Sequence, residues 1–433
     1  MDASTSLSGA VTPRLRLPRG AVTVVTWVVP LVFLAWAVRA AILEGFIYPE
    51  RTDFLGSDFT RTAALGSPEW WTGTGIFYGP IFVLEYHFLL HPGGIATNAE
   101  FAVFDFLLFA LAFGCAWLAL FGLRHPRLAL LVLGAWFAHH ASVEAFSTTA
   151  HLEVLELALI CGALLYAVRS RPLVSGGLIG LAIATKTLPG LFLPYLLLAR
   201  RWRMMAAATV VALVVFLGVC WLQRITPWDG AYALIYQGGN LSKLEFTEYE
   251  YSPRADVARI LAGSSTVLTP EQGRIAIGVH FAIALLACTI AAVVVASSTL
   301  GRTAYGILFG VVQAVMLIAS PSAHIQYYIF LLPAWTALLA LLLPRPLTRV
   351  NVALWCALLL GYMFTGFDQP FFVLQRLFGL GLVVPQHWLT WHLPSLALLT
   401  TFVALCVALR SVRDDAQVAA TPGWRGRGLA AGT

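Results

Sequence analysis

The chain has 433 residues, 59% of them hydrophobic and 11% charged, with a mean hydropathy of +0.81, against about 25% charged in an ordinary soluble domain. That composition excludes a soluble globular protein, and the formal net charge of +6 reads as arginine at a membrane surface, not as a nucleic-acid footprint. Apolar runs near the roughly 20 residues that cross about 30 Å of hydrocarbon recur from end to end. Because lipid satisfies no backbone polar group, they predict an all-α polytopic transmembrane helical bundle, and the alternating strands of a barrel are missing.

Residues 1–20 carry Arg14, Arg16 and Arg19 and read as a cytoplasmic N-terminal segment. The apolar run that follows reaches Leu43, too long for a signal-peptide core, so it is the first span. Further spans are expected at 101–123, 128–149, 151–168, 204–222, 275–296, 304–319, 325–343, 350–366 and 389–409, ten full spans with the first.

Residues 173–199 differ, because Arg169 and Arg171 precede them and Arg200, Arg201 and Arg203 follow. Both ends belong on the cytoplasmic side. The segment is therefore expected to be a hairpin of two short helices, each about 18 Å long, with Lys186-Thr-Leu-Pro189-Gly190 at its tip. Residues 76–90 are short and hold Pro80, Glu85 and His87, which predicts a helix lying on the outer surface.

These assignments give a transmembrane domain over 21–409 with long outer loops at 44–100 and 223–274, and a cytoplasmic tail at 410–433 whose Gly/Arg-rich part predicts disorder. Both termini are then inside. Basic residues collect in the inner segments, where the acidic residues are Asp2, Asp414 and Asp415, so unusual polar chemistry gathers in the membrane and at the outer face. All six cysteines lie singly in apolar spans and read as small core residues. No matching halves with interrupted helices appear, which argues against a transporter or lipid flippase.

Four groups of residues are candidates for chemistry. Asp58 sits in Leu55-Gly-Ser-Asp58-Phe-Thr-Arg61, just beyond the first span, near Asp53; it is either a general base for an acceptor hydroxyl or a solvated or helix-capping aspartate, and Asp53 competes for the role. Lys186 is one of two lysines in the chain. At the tip of a broken hairpin it forms either a phosphate-binding corner with helix termini or an ion pair with a buried carboxylate. The segment Ser320-Pro321-Ser-Ala-His324-Ile-Gln326-Tyr327-Tyr328 offers convergent donors for phosphate or sugar oxygens, or else an aromatic belt.

His139, His140, Glu144, His151 and Glu153 gather at the outer end of one expected span and the start of the next. Their spacing is not HExxH, so a polar patch for sugar hydroxyls is the preferred reading over a metal site. Arg39 is close enough to the outer end of its span to snorkel. Asp105 and Glu156 lie inside spans and should face the bundle, with partners that sequence does not name.

In combination these residues resemble the GT-C glycosyltransferases and, within them, family 87, the actinobacterial enzymes that use polyprenyl-phosphate mannose. Asp58 with Gly73-Thr-Gly-Ile-Phe-Tyr78-Gly-Pro80 is similar to that family's first outer loop. Gly177-Leu-Ile-Gly180-Leu-Ala-Ile-Ala-Thr-Lys186-Thr-Leu-Pro189, followed by Arg200-Arg-Trp-Arg203, resembles its Gly-rich helix, lysine, proline and basic stop. Ser320-Pro321 through Pro333 is similar to its late outer loop. This chain departs from the pattern at Tyr78-Gly-Pro80, usually Tyr-Pro-Pro. It departs again at Gln326 and Tyr327, usually paired histidines, and at His151 and Glu153, usually Gln and Asn.

The resemblance implies a GT-C bundle that transfers a sugar, mannose in the first instance and arabinofuranose as the nearest variant. The donor would be a polyprenyl phosphate sugar and the acceptor a lipid-linked molecule or glycan, joined at the outer face of the cell membrane with inversion. It implies Asp58 as base, and Lys186, His324, Gln326 and Tyr327 on the departing phosphate. Tyr78, His140, Glu144, His151 and Glu153 are left for the acceptor or sugar. No metal, cofactor or nucleic acid is expected.

Overall fold

A computed structural model describes residues 19–42, 98–148, 152–238, 252–262, 267–297, 301–321, 323–365 and 386–420. The described residues are helical, with no strand among them. In order they form α1 (Arg19–Ile42), α2 (Asn98–Leu120), α3 (Pro126–Ala138), α4 (His140–Thr148), α5 (Leu152–Val168) and α6 (Pro172–Thr185). A 3₁₀ segment (Leu188–Leu191) leads into α7 (Phe192–Leu198), α8 (Trp202–Leu222), α9 (Pro227–Gly238), α10 (Pro253–Ala262), α11 (Pro270–Ala296) and α12 (Arg302–Ala319). A second 3₁₀ segment (Ile325–Leu331) precedes α13 (Leu332–Leu342), α14 (Arg349–Phe364) and α15 (Gln386–Ala420).

Among the described residues five stretches are long and apolar enough to cross a membrane: Trp202–Leu222, Pro270–Ala296, Arg302–Ala319, Ile325–Leu342 and His392–Val412. Shorter apolar helices accompany them. α12 is apolar around Gln313 and is buried continuously from Ala304 to Ile318, as a helix at the centre of a bundle must be. α8 buries only Met204, Ala208, Val219 and Cys220 and exposes Val210, Leu213, Val214, Leu217 and Trp221, a surface suited to lipid.

The helical hairpin is present. α6 runs parallel to α8, with Gly176 against Met204 and Gly180 against Ala208, so closely that a Cβ on either glycine would fall on a backbone carbonyl oxygen of α8. Small residues four apart let two helices approach in this way. The start of α6, the start of α8 and the residues just before it line one cavity, so α6 and α7 must leave that end and return to it. Ser170 and Arg200 turn the chain there in left-handed conformation. In each case the next residue bonds back five residues, Arg171 N–H to the Tyr166 carbonyl and Arg201 N–H to that of Leu196.

Two boundaries differ most from the sequence expectation. The apolar run at 128–149 is broken at His139, whose extended backbone (φ −72°, ψ 130°) ends α3. Its ring Nδ1 accepts from Ala141 N–H at 3.3 Å and its carbonyl accepts from Ser142 N–H at 2.9 Å, so one histidine closes one helix and starts the next. At the other end of the chain α15 continues to Ala420, past the expected span end at 409.

The core joins these pieces around rings. Phe109 meets Trp136, Phe137 and Phe146 with centroids 5.1–5.6 Å apart, and Trp136 donates to the Thr336 hydroxyl at 3.1 Å, tying α3 to α13. α12 and α13 are antiparallel, with Gly306 against Ala337 and Gly310 against Ala334.

Candidate functional site

The site is set by where α5 starts and α6 stops. Ser175 Oγ donates to the Ala163 carbonyl at 2.7 Å, which fixes the antiparallel register of the two helices. The first turn of α5 and the tip of the hairpin then lie at the same level, about 21 Å from the arginine-rich end for a helix of fourteen residues. α6 ends at Thr185, and Lys186 is extended (φ −150°, ψ 140°) with its N–H still bonded to the Ala182 carbonyl. Pro189 lies in the first turn of the 3₁₀ segment that turns the chain back.

At this tip Lys186 Nζ donates to Glu153 Oε1 at 2.8 Å. Both residues are buried, Glu153 to 1% exposure. The same ammonium lies over the Tyr327 ring, 4.0 Å from its centroid. His324 stands edge-on to Tyr327 at 5.8 Å. Three distant stretches of chain thus surround one cation, which in a low-dielectric interior needs such company. One turn along α5 from Glu153, Glu156 is fully buried, and neither of its carboxyl oxygens has a hydrogen-bond partner among the described residues.

Among the expected donor-phosphate residues, Lys186 and Tyr327 are in contact, His324 adjoins Tyr327, and Gln326 is buried beside it in the same 3₁₀ segment. Of the expected acceptor residues, Glu153 is drawn to Lys186, the carboxylate alternative that sequence left open for this lysine. His140 opens α4 and Glu144 lies on it, and α4 packs against the same 3₁₀ segment. Asp53, Asp58, Tyr78 and His151 lie outside the described residues. His139 belongs to a different cluster: Nε2 is 3.3 Å from the Thr365 hydroxyl, and the ring meets Trp335 and Tyr362.

Sequence reasoning left α10 without a role. Ser252 Oγ donates to the Pro321 carbonyl at 3.0 Å, which docks the start of α10 on the Ser-Pro turn just before His324. Arg254 and Arg259 on this helix are buried, and Asp256 accepts from Arg259 at 3.4 Å and lies 3.1 Å from His392 Nδ1. The signal available in the sequence was the Arg254-x-Asp256-x-x-Arg259 spacing, which puts the acid and the second base one turn apart.

The arrangement can hold a cation at fixed position away from the arginine-rich end and present neighbouring polar groups beside it. The sequence model of glycosyltransferase family 87 matches residues 77–321, more than half of the chain, including Glu153 and Lys186 and ending at Pro321. No curated protein matches the chain. With apolar helices built around a buried lysine of the matched region, this protein belongs to glycosyltransferase family 87 and is a membrane glycosyltransferase.

Proposed function

We propose that the protein transfers mannose from a polyprenyl-phosphate donor to a lipid-linked or glycan acceptor at the outer face of the cell membrane. The observation that carries this reading is the contact of Lys186 with Tyr327 at the tip of the hairpin, since it gathers a cation and donor groups at one point. Family membership supports the transfer of a sugar. The positive-inside rule supports the orientation, with the arginine-rich turns in the cytoplasm and the Lys186 level toward the other face.

In this reaction Asp58 takes the proton of the acceptor hydroxyl, whose oxygen attacks C1 of the sugar. The bond from C1 to the phosphate oxygen breaks with inversion, and the polyprenyl phosphate leaves with the electron pair. Lys186 faces the charge that grows on that phosphate, helped by His324, Gln326 and Tyr327. Glu153 keeps the ammonium charged and aimed before the donor arrives, and the ammonium's remaining N–H donors turn to the phosphate. Tyr78, His140, Glu144 and His151 serve the acceptor or the sugar. Residues 21–409 form the transferase domain, with ten spans and the hairpin, and 410–433 form a cytoplasmic tail.

The test is release of free polyprenyl phosphate from polyprenyl-phosphate mannose by purified protein in nanodiscs, with and without a membrane-lipid extract as acceptor. Acceptor-dependent release that disappears in Asp58→Asn is expected. Release with the arabinose donor alone would replace the sugar, and release with neither donor would overturn the reading.

A further inference from the structure

The arginine-rich end of the bundle contains a cavity of about 550 Å³ that the proposed transfer does not use. Its described lining includes Ser170, Arg200, Arg201, Arg203, Arg302 and Tyr305, and none of the described lining residues is acidic. The first turns of α6, α8 and α12 meet there. Among the described residues none of these helix starts is capped by its N-cap side chain, and none has an acidic residue in its first turn. Three positive helix ends, whose first-turn N–H groups have no partner within their own helix, therefore add to four guanidinium groups.

The Arg201 guanidinium lies over the Tyr305 ring, 5.1 Å from its centroid, and its Nε is shielded from solvent with no hydrogen-bond partner among the described residues. A shielded charged donor without an acceptor is an unmet demand for an anion. Trp202, exposed at the rim, suits the headgroup layer of a membrane. From these observations we infer that the cavity binds a phosphate group carried on the headgroup of an anionic lipid, in the leaflet on the arginine-rich side. A site between helices at this depth recognises a phosphodiester by guanidinium forks and helix starts, and the cavity is of ordinary size for a small ligand.

The experiment uses the full chain in phosphatidylcholine nanodiscs. In one arm a minor fraction of phosphatidylinositol is added, and lipid retained by the protein is read by native mass spectrometry. In the other arm inorganic phosphate is titrated and thermal unfolding is followed. Retention of phosphatidylinositol over phosphatidylcholine, weakened about tenfold or more in Arg200→Gln and in Arg302→Gln, is expected. Arg349→Gln removes the same charge from an exposed residue outside the cavity and should leave retention unchanged. Saturable stabilisation by inorganic phosphate without lipid retention, lost in the same two variants, keeps the site and assigns it a soluble anion. Retention equal in all variants, or no binding in either arm, overturns the inference. Monodisperse elution of each variant, with its sugar transfer intact, shows that a loss of binding is not a loss of fold.

Discussion

The Lys186 ammonium and the Glu153 carboxylate are 2.8 Å apart inside the bundle, one at the break of a helical hairpin and the other in the first turn of a neighbouring helix. Each makes the other tolerable in a low-dielectric interior. Removing one partner leaves a buried uncompensated charge, at about 3–5 kcal/mol, whereas replacing both with neutral groups is close to neutral. Glu153→Gln and Lys186→Met should each lower the thermal midpoint sharply, and the double variant should recover most of it. Additive losses in the double variant would show that the pair is not coupled.

Tyr327 supplies a ring face to the same ammonium. Tyr327→Phe keeps that face and should keep most of the stability, while Tyr327→Leu removes it, at about 0.5–2 kcal/mol. Thermal unfolding of the two variants side by side reads the ring separately from its hydroxyl. Equal destabilisation by both would assign the effect to the hydroxyl.

The hairpin depends on contact between α6 and α8. A Cβ at Gly176 or Gly180 would overlap backbone of α8, but one at Gly177 would meet only Val211 Cγ2 at 3.8 Å. Gly176→Ala and Gly180→Ala should therefore destabilise by about 1–3 kcal/mol through overpacking, whereas Gly177→Ala should be neutral or mildly stabilising. Unfolding midpoints of the three variants in one detergent check the order, and an equal response at all three positions would contradict it.

Arg224 has a left-handed backbone (φ 54°) at the end of α8, where Arg224 N–H and Ile225 N–H bond back to the Trp221 and Cys220 carbonyls. A side chain resists that conformation by about 1–2 kcal/mol and glycine does not. Arg224→Gly should raise the unfolding midpoint modestly, since the side chain is exposed. A fall would mean that the arginine makes a contact worth more than the strain.

Much of the architecture was legible because lipid imposes simple rules. Arginines on both sides of residues 173–199 predicted that the chain returns to the end of the bundle it left, and it does. The break at His139 was not legible, since the apolar run passes through it and the interruption depends on the ring capping Ala141 and reaching Thr365, far along the chain. Composition also hid the continuation of α15 to Ala420. At the site, an isolated lysine in an apolar setting announced that it needed a partner. Which carboxylate answers is decided by the register of α5 on α6, set by Ser175 and Ala163, and a single sequence carries no direct sign of that register. Arg254 and Arg259 were passed over because a long outer loop gives no indication of where a short helix within it will dock.

In the proposed reaction Lys186 serves the donor phosphate as well as the fold, and the variant lacking both Lys186 and Glu153 charges separates these roles. Acceptor-dependent release of polyprenyl phosphate should be measured for the wild type and for Lys186→Met/Glu153→Gln in nanodiscs, at a temperature where both are folded. The double variant should fold, with release lower by about two orders of magnitude or more, the effect of removing a charged group from a developing anion. A folded double variant that turns over at the wild-type rate would contradict the role at the phosphate and leave Lys186 a structural ion pair alone.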